Sequence, residues 1–237
     1  MIIYPAIDLY DKKAVRLYKG DYNEMTVYSE NPCEIAEDFY KSGARYMHVV
    51  DLEGAKTGET PNIDVIKKLA AIPDMFIEVG GGIRTLEVAK RYVEAGVDRI
   101  ILGTAALKDR AFLLSAIENF GDKVAVGVDI KDSYVAVKGW IERSEVLAMD
   151  FLAELDSIGV KTVICTDISK DGAMMGTNLE LYRTLSEKFG MQIIASGGVS
   201  SIDDVKRLRE MDLYGAIVGK AYYTGAISLK EAIEVAK

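Results

Sequence analysis

Short runs of β-branched and other apolar residues alternate with longer amphipathic stretches from one end of the chain to the other. The runs fall at residues 2–8, 46–51, 75–79, 99–102, 124–129, 162–166, 192–195 and 215–218. Within them apolar residues are nearly continuous instead of alternating, as in Val124-Ala125-Val126-Gly127-Val128. A strand apolar on both faces belongs in a parallel sheet covered on both sides. The intervening stretches, such as 86–95 and 203–211, place apolar residues three and four apart and predict amphipathic helices. Eight strand–helix units within 237 residues predict an α/β chain of one domain, 1–237, folded as a closed (β/α)8 TIM barrel and not an open doubly wound sheet.

The pattern also repeats itself. Residues 43–107 align without a gap onto 159–223, each position meeting the one 116 further on. Asp51 falls on Asp167, Asn62 on Asn178, Gly81-Gly82 on Gly197-Gly198, Lys90-Arg91 on Lys206-Arg207 and Gly103 on Gly219. Earlier in each copy, Ala6-Ile7-Asp8-Leu9-Tyr10-Asp11 matches Gly127-Val128-Asp129-Ile130-Lys131-Asp132. Shared turn chemistry could account for the glycines alone, but not for the whole register. The expectation is two duplicated half-barrels, approximately 1–121 and 122–237.

Composition narrows the chemistry. A net charge of -8 argues against a nucleic-acid partner, because a surface that tracks phosphates needs clustered Lys and Arg. No apolar run approaches the roughly 20 residues of a membrane helix, and the stretch before Asp8 lacks the basic region of a secretory signal. A cytoplasmic protein is expected, with Cys33 and Cys165 as reduced thiols, since neither sits in a CxxC or metal spacing. His48 is the only histidine, which removes His-rich metal sites and His-paired nucleophiles. No metal and no cofactor are expected, and acid–base chemistry near neutrality falls to carboxylates.

In a barrel of this kind the site lies at the C-terminal ends of the strands, and the loops after strands seven and eight commonly bind phosphate. Gly197 and Gly198, then Gly219 and Lys220, occupy those two loops. Glycines let backbone N–H groups approach an anion, and a helix N-terminus adds its positive end. Gly81 and Gly82, then Gly103 and Thr104, repeat the arrangement after strands three and four. A Gly-Gly pair also suits any tight turn of positive φ; the matched pairs point to a small-molecule bisphosphate with a phosphate at each end. Asp8 and Asp129 close the apolar strands one and five. Either could be a structural acceptor, but as a symmetric pair they suit opposed acid and base roles.

The motifs Pro5-Ala6-Ile7-Asp8-Leu9, Val15-Arg16-Leu17 with Gly20-Asp21, His48-Val49-Val50-Asp51-Leu52, Gly80-Gly81-Gly82-Ile83-Arg84, Lys138-Gly139-Trp140, Thr166-Asp167 with Lys170-Asp171-Gly172, and Gly197-Gly198-Val199 closely resemble one family. It is the phosphoribosylformimino-5-aminoimidazole carboxamide ribotide isomerases of histidine biosynthesis. The likeness runs from the first strand to Gly219 and implies an Amadori rearrangement of an aminoaldose to an aminoketose, without metal or cofactor. It implies Asp129 as general acid on the ribose ring oxygen and Asp8 as the base that takes the C2′ proton. Thr166 and Asp171 would orient the sugar, Trp140 would stack on the imidazole, and Arg16 and His48 would contact phosphate or carboxamide. Thr166 also suits a strand-end hydroxyl bond, Asp171 an Asx turn, Trp140 a cap on the barrel wall and His48 a core position. The enzyme is expected to act as a monomer. Sister readings are the cyclase subunit of imidazole glycerol phosphate synthase, opposed by Ala6 and Arg16, and a bifunctional histidine/tryptophan-pathway isomerase, opposed by Lys138. An inactive phosphate-binding scaffold barrel is opposed by the presence of both aspartates.

Overall fold

Closure of a parallel sheet needs strands that are buried on both faces, and the apolar runs supply them. The computed structural model describes every residue except Lys19, Lys138 and Ile141, so Lys138 of the Lys-Gly-Trp motif lies outside the described residues. Its strands are β1 (Ile2–Tyr10), β2 (Lys13–Tyr18), β3 (Asp21–Ser29), β4 (Tyr46–Asp51), β5 (Phe76–Gly80) and β6 (Arg99–Leu102). They continue with β7 (Val124–Lys131), β8 (Tyr134–Val137), β9 (Glu142–Leu147), β10 (Thr162–Asp167), β11 (Gln192–Ser196) and β12 (Gly215–Val218). Eight of them run parallel in the order β1, β4, β5, β6, β7, β10, β11, β12, and β12 pairs with β1 to close the (β/α)8 barrel.

Alternate residues of each strand face opposite ways, which divides the core in two. Tyr4, Ala6, Ile101, Ala125, Ile164, Ile194 and Ile217 pack together inside the barrel. Their neighbours Ile3, Ile7, Met47, Val49, Ile77 and Val79 belong to the larger cluster between the barrel and its helices. The interior is not wholly apolar. Glu78 and Arg99 are buried there, 3.1 Å apart, and Glu78 also meets His48 Nδ1 at 2.8 Å.

Two hairpins were not anticipated by the apolar pattern. After β1 the chain turns through Asp11-Lys12 into β2, and after β7 through Asp132-Ser133 into β8. All four turn residues have positive φ, between 49° and 69°, the geometry of a two-residue type I′ turn. Such turns usually announce themselves by a glycine, and here neither has one. The first is held by side chains instead: the Asp11 N–H donates to Glu53 at 2.7 Å and the Lys12 N–H to Asn62 at 2.9 Å. Both hairpins therefore start at the C-terminal ends of the strands that carry Asp8 and Asp129. They also lengthen β1 and β7 by two residues beyond the expected ends at 8 and 129.

No helix among the described residues is long and apolar enough to cross a membrane. Truncating Ile194, which is 0% exposed inside the barrel, to Ala should destabilise the chain by about 2–5 kcal/mol, read as a lower urea midpoint at unchanged m-value.

Candidate active site

Four aspartates close strands in matched pairs, and the pairs differ in how their carboxylates are used. Asp51 and Asp167 are saturated by the protein. Asp51 accepts from the Gly54 N–H and Asn62 Nδ2, both at 2.8 Å, and from the Tyr92 hydroxyl at 3.2 Å. Asp167 accepts from the Ser169 N–H at 2.9 Å and from Asn178 Nδ2 at 2.6 Å. Each Asp–Asn pair ties a strand end to the start of a following helix, so these two carboxylates hold loops.

Asp8 and Asp129 face the barrel mouth and have different partners from one another. Asp8 forms an ion pair with Arg16 of β2 at 3.0 Å, the two side chains 13% and 14% exposed. Burial raises the Asp8 pKa; Arg16 opposes this, Asp171 adds to it, and His48 opposes it. Burial also raises the Asp129 carboxyl, against hydrogen bonds donated by Trp140 and Thr166; Asp171 adds to the rise and His48 opposes it. No cation pairs directly with Asp129 among the described residues. Thr166 stands beside Asp129 in the β7–β10 register, and His48 stands beside Ala6, one inward position before Asp8. Burial weakens the Arg16 charge, but Asp8 and then Asp171 more than reverse it and raise its pKa. Asp8, Asp129, Arg16, His48, Thr166, Asp171 and Trp140 are thus gathered at one rim.

The two hairpin excursions meet over this rim. A Cβ on Gly20, at the β2–β3 tip, would lie 2.9 Å from the ring of Trp140, and Trp140 has φ 73°. Lys220 reaches from the helix after β12 to donate to the Gly172 carbonyl at 2.9 Å, which joins it to the loop carrying Asp171. Its ammonium also lies 5.2 Å from the Tyr18 ring.

The glycine loops separate into two kinds. Gly82 has φ 72°, and a Cβ there would lie 1.8 Å from the Gly54 carbonyl oxygen. Gly81 meets the Asp51 carbonyl, while Gly197 and Gly198 meet the Asp167 and Gly176 carbonyls, all with positive φ. Close packing between neighbouring loops accounts for these four. Gly103 has negative φ, and nothing lies within 4 Å of where its Cβ would be, so packing does not explain it. A Cβ on Gly219 would lie 1.9 Å from Arg16 Nη2, which puts the guanidinium of the Asp8 partner against the loop after β12. Gly103 and Gly219 precede the helices Thr104–Lys108 and Lys220–Tyr223, each short.

The chain matches the model of the family described as "Histidine biosynthesis protein" over residues 2–228. It belongs to that family. A relative from Oceanobacillus iheyensis is 50% identical, over 99% of this chain and 98% of its own length. One from Lactococcus lactis subsp. cremoris is 49% identical over 98% of this chain and 95% of its own. One from Clostridium kluyveri is 49% identical over 99% of both. All three are named as isomerases of an imidazole-4-carboxamide that carries a 5-phosphoribosyl and a 5-phosphoribosylamino group.

Within this histidine-biosynthesis barrel, sequence reasoning missed three residues that border the site. Tyr22 of β3 donates to the Leu52 carbonyl at 2.9 Å, and burial, with Asp8 adding, pushes its hydroxyl up to about 12. Glu78 and Arg99 were read as parts of apolar runs. Only their charge, out of place in such a run, could have marked them. Cys165, buried behind Asp129, has its thiol pushed up to about 12 by burial and by that carboxylate, so it remains an unreactive thiol at neutral pH.

Two stability outcomes follow from this geometry. Gly82→Ala should cost about 2–4 kcal/mol through strain and steric overlap, whereas Gly103→Ala should stay within about 1 kcal/mol, compared by thermal melts. Asp129 has a folded-state pKa above its unfolded one, so what it contributes to stability is complete below the unfolded value. That contribution is lost as pH rises through the folded value. At pH 7 Asp129→Asn should therefore raise the Tm, and the gain should fade as the pH is lowered towards about 4.

Proposed function

We propose that the chain catalyses the isomerisation named for its relatives: the Amadori rearrangement of the bis-phosphoribosyl aminoaldose to its aminoketose, a step of histidine biosynthesis. Membership of the family over nearly the whole chain supports the activity. The observation that carries the mechanism is the unequal partnering of two buried, matched carboxylates. Asp8 has a guanidinium at 3.0 Å, which favours its ionised form and suits it to be the base. Asp129, whose pKa burial raises as it does that of Asp8, has only neutral donors, Trp140 and Thr166, which suits it to hold a proton as the acid.

In the proposed sequence Asp129 protonates the ring oxygen of the ribosylamine, and the nitrogen lone pair opens the ring to a protonated Schiff base. Asp8 then removes the C2′ proton, and the electron pair moves through C1′ to the nitrogen and gives an enolamine. Protonation at C1′ and loss of the C2′ hydroxyl proton yield the ketose. Atoms and electrons balance within the substrate, so no external electron acceptor is required. Thr166 and Asp171 are proposed to orient the sugar and Trp140 to stack on the imidazole ring. Arg16 and His48 are proposed to contact the phosphate or carboxamide groups.

One phosphate is assigned to Gly81, Gly82, Gly103 and Thr104, and the other to Gly197, Gly198, Gly219 and Lys220. The supporting facts are the exposed backbone around Gly103, the matching loops in both parts of the chain, and the guanidinium and ammonium beside Gly219. All the side chains proposed to act come from one chain, which supports a monomer. A biosynthetic step on phosphorylated intermediates supports a cytoplasmic enzyme with no nucleic-acid or membrane partner. We further propose that the chain arose as two half-barrels, about 1–121 and 122–237, on the strength of the gap-free internal register.

The purified protein supplied with the aminoaldose alone should form the ketose isomer, followed by the change in its absorbance. Asp8→Asn and Asp129→Asn should each lower kcat by at least about 100-fold with substrate affinity largely kept. Near-normal turnover in either variant would remove that residue from the mechanism, and no turnover by the unaltered protein would overturn the activity.

A further inference from the structure

A carboxylate inside a barrel is costly unless cations share it. Glu78 has no exposed surface and sits in the middle of the run Phe76–Gly80. Its oxygens have separate partners. Oε2 accepts from Arg99 at 3.1 Å, and Oε1 faces His48 Nδ1 at 2.8 Å. Arg99 is in turn held by the Tyr4 hydroxyl at 3.3 Å and packs 5.0 Å from the Phe76 ring centre.

The chain contains its own comparison for what this space requires. At the positions 116 further on stand Ile164, Ile194 and Gly215 in place of His48, Glu78 and Arg99. Ile164 and Ile194 fill the interior as members of its apolar cluster. One side of the barrel is thus packed with aliphatic side chains where the other buries an ionic triad. Removing a whole buried ion pair in favour of well-packed apolar groups is often neutral or stabilising, so filling the barrel does not require the triad.

The triad does have a direction. A carboxylate only accepts, so Nδ1 of His48 is the donor, and this bond sets both the orientation and the tautomer of the ring. Nε2 makes no hydrogen bond to any described residue, and the ring lies near both Asp8 and Asp129. We propose that Glu78 is a positioning residue of the isomerase reaction, holding His48 with Nδ1–H committed to the barrel interior and Nε2 presented to the substrate beside the two aspartates. Arg99 anchors Glu78 in turn. The role rests on the isomerase reading of the site; the setting of the ring does not. A ring released from Glu78 is free to move its proton to Nε2 or to rotate, and either change alters the group that faces the reacting sugar.

Because His48 is the chain's only histidine, nitrogen-15 histidine labelling reports on this ring alone. The unaltered protein should show a proton held on Nδ1, and Glu78→Gln should shift the ring towards the Nε2–H tautomer. Glu78→Gln should lower kcat about 10- to 100-fold, with KM within about threefold of the unaltered value. In a His48→Gln background Glu78→Gln should cost nothing further, because its effect passes through the ring. If Glu78→Gln alone does not fold, Glu78→Leu with Arg99→Met removes both charges together and should fold with the same loss of kcat. An unchanged tautomer, an equal loss in the His48→Gln background, or unaltered kcat in the double variant would overturn the proposal. If the unaltered protein fails to turn over, the isomerase reading falls and the catalytic role with it, while the spectrum still decides whether Glu78 sets the ring.

Discussion

The pairing of Val124–Lys131 with Thr162–Asp167, and of Ile2–Tyr10 with Gly215–Val218, closes a sheet that would otherwise have two edges. Every strand in the ring runs the same way, so every C-terminal end arrives at one rim. Closure also forces alternate side chains of all eight strands into a space with room for side chains and little else. The floor of the site is therefore core. Asp8 and Asp129 continue the same inward-facing rows as Ala6 and Ala125, and they inherit the rigidity of that packing without needing loops to place them. They inherit its low polarity too, which is why burial heads the causes that raise both pKa values.

Matched positions do not receive matched chemistry. The structural devices are duplicated faithfully: the Asp51–Asn62 and Asp167–Asn178 latches, the glycine pairs seated on neighbouring carbonyls, and the two turns at Asp11-Lys12 and Asp132-Ser133. Around the carboxylates the copies diverge, with a guanidinium at Asp8 and an indole N–H and a hydroxyl at Asp129. A symmetric pair of buried carboxylates in equal surroundings would have no reason to divide a proton in one particular way. Unequal partners give the proposed division a direction, and the matched strands keep both groups at the same rim.

This division explains which features were legible in the sequence. The barrel was legible because continuous apolar strands and 3.6-residue periodicity reflect burial, and burial dominates the fold. The placement of Asp8, Asp129 and the glycine loops at one rim was legible because the repeat set them in register. The β1–β2 and β7–β8 hairpins were not, since their turns reach positive φ with Asp, Lys and Ser, and no glycine marks them. Arg16 belongs to one of the motifs, yet its partner could not be read there, because the ion pair with Asp8 depends on how that hairpin folds back. Glu78 and Arg99 look like interruptions of apolar runs, and only three-dimensional packing joins them to His48. Contacts made by duplicated backbone were predictable from pattern, while contacts between unlike side chains were not.

The buried triad brings these points together. Fixing two carboxylates in a poorly polar mouth favours their neutral forms, and a base that stays protonated is useless. Some positive potential must offset the burial. Arg16 provides it from the hairpin above Asp8, and it also packs against Gly219, where the proposed phosphate site would compete for it. A group placed in the strands themselves cannot be drawn away in that manner. His48 is such a group, since β4 carries it and Glu78 holds its ring near both aspartates. Its hold on the interior is a carboxylate with its own guanidinium, so the charge that orients the ring is balanced within the barrel and no loop has to close to supply it. The barrel carries that ionic cost on one side only, the side from which a single histidine reaches both members of the pair.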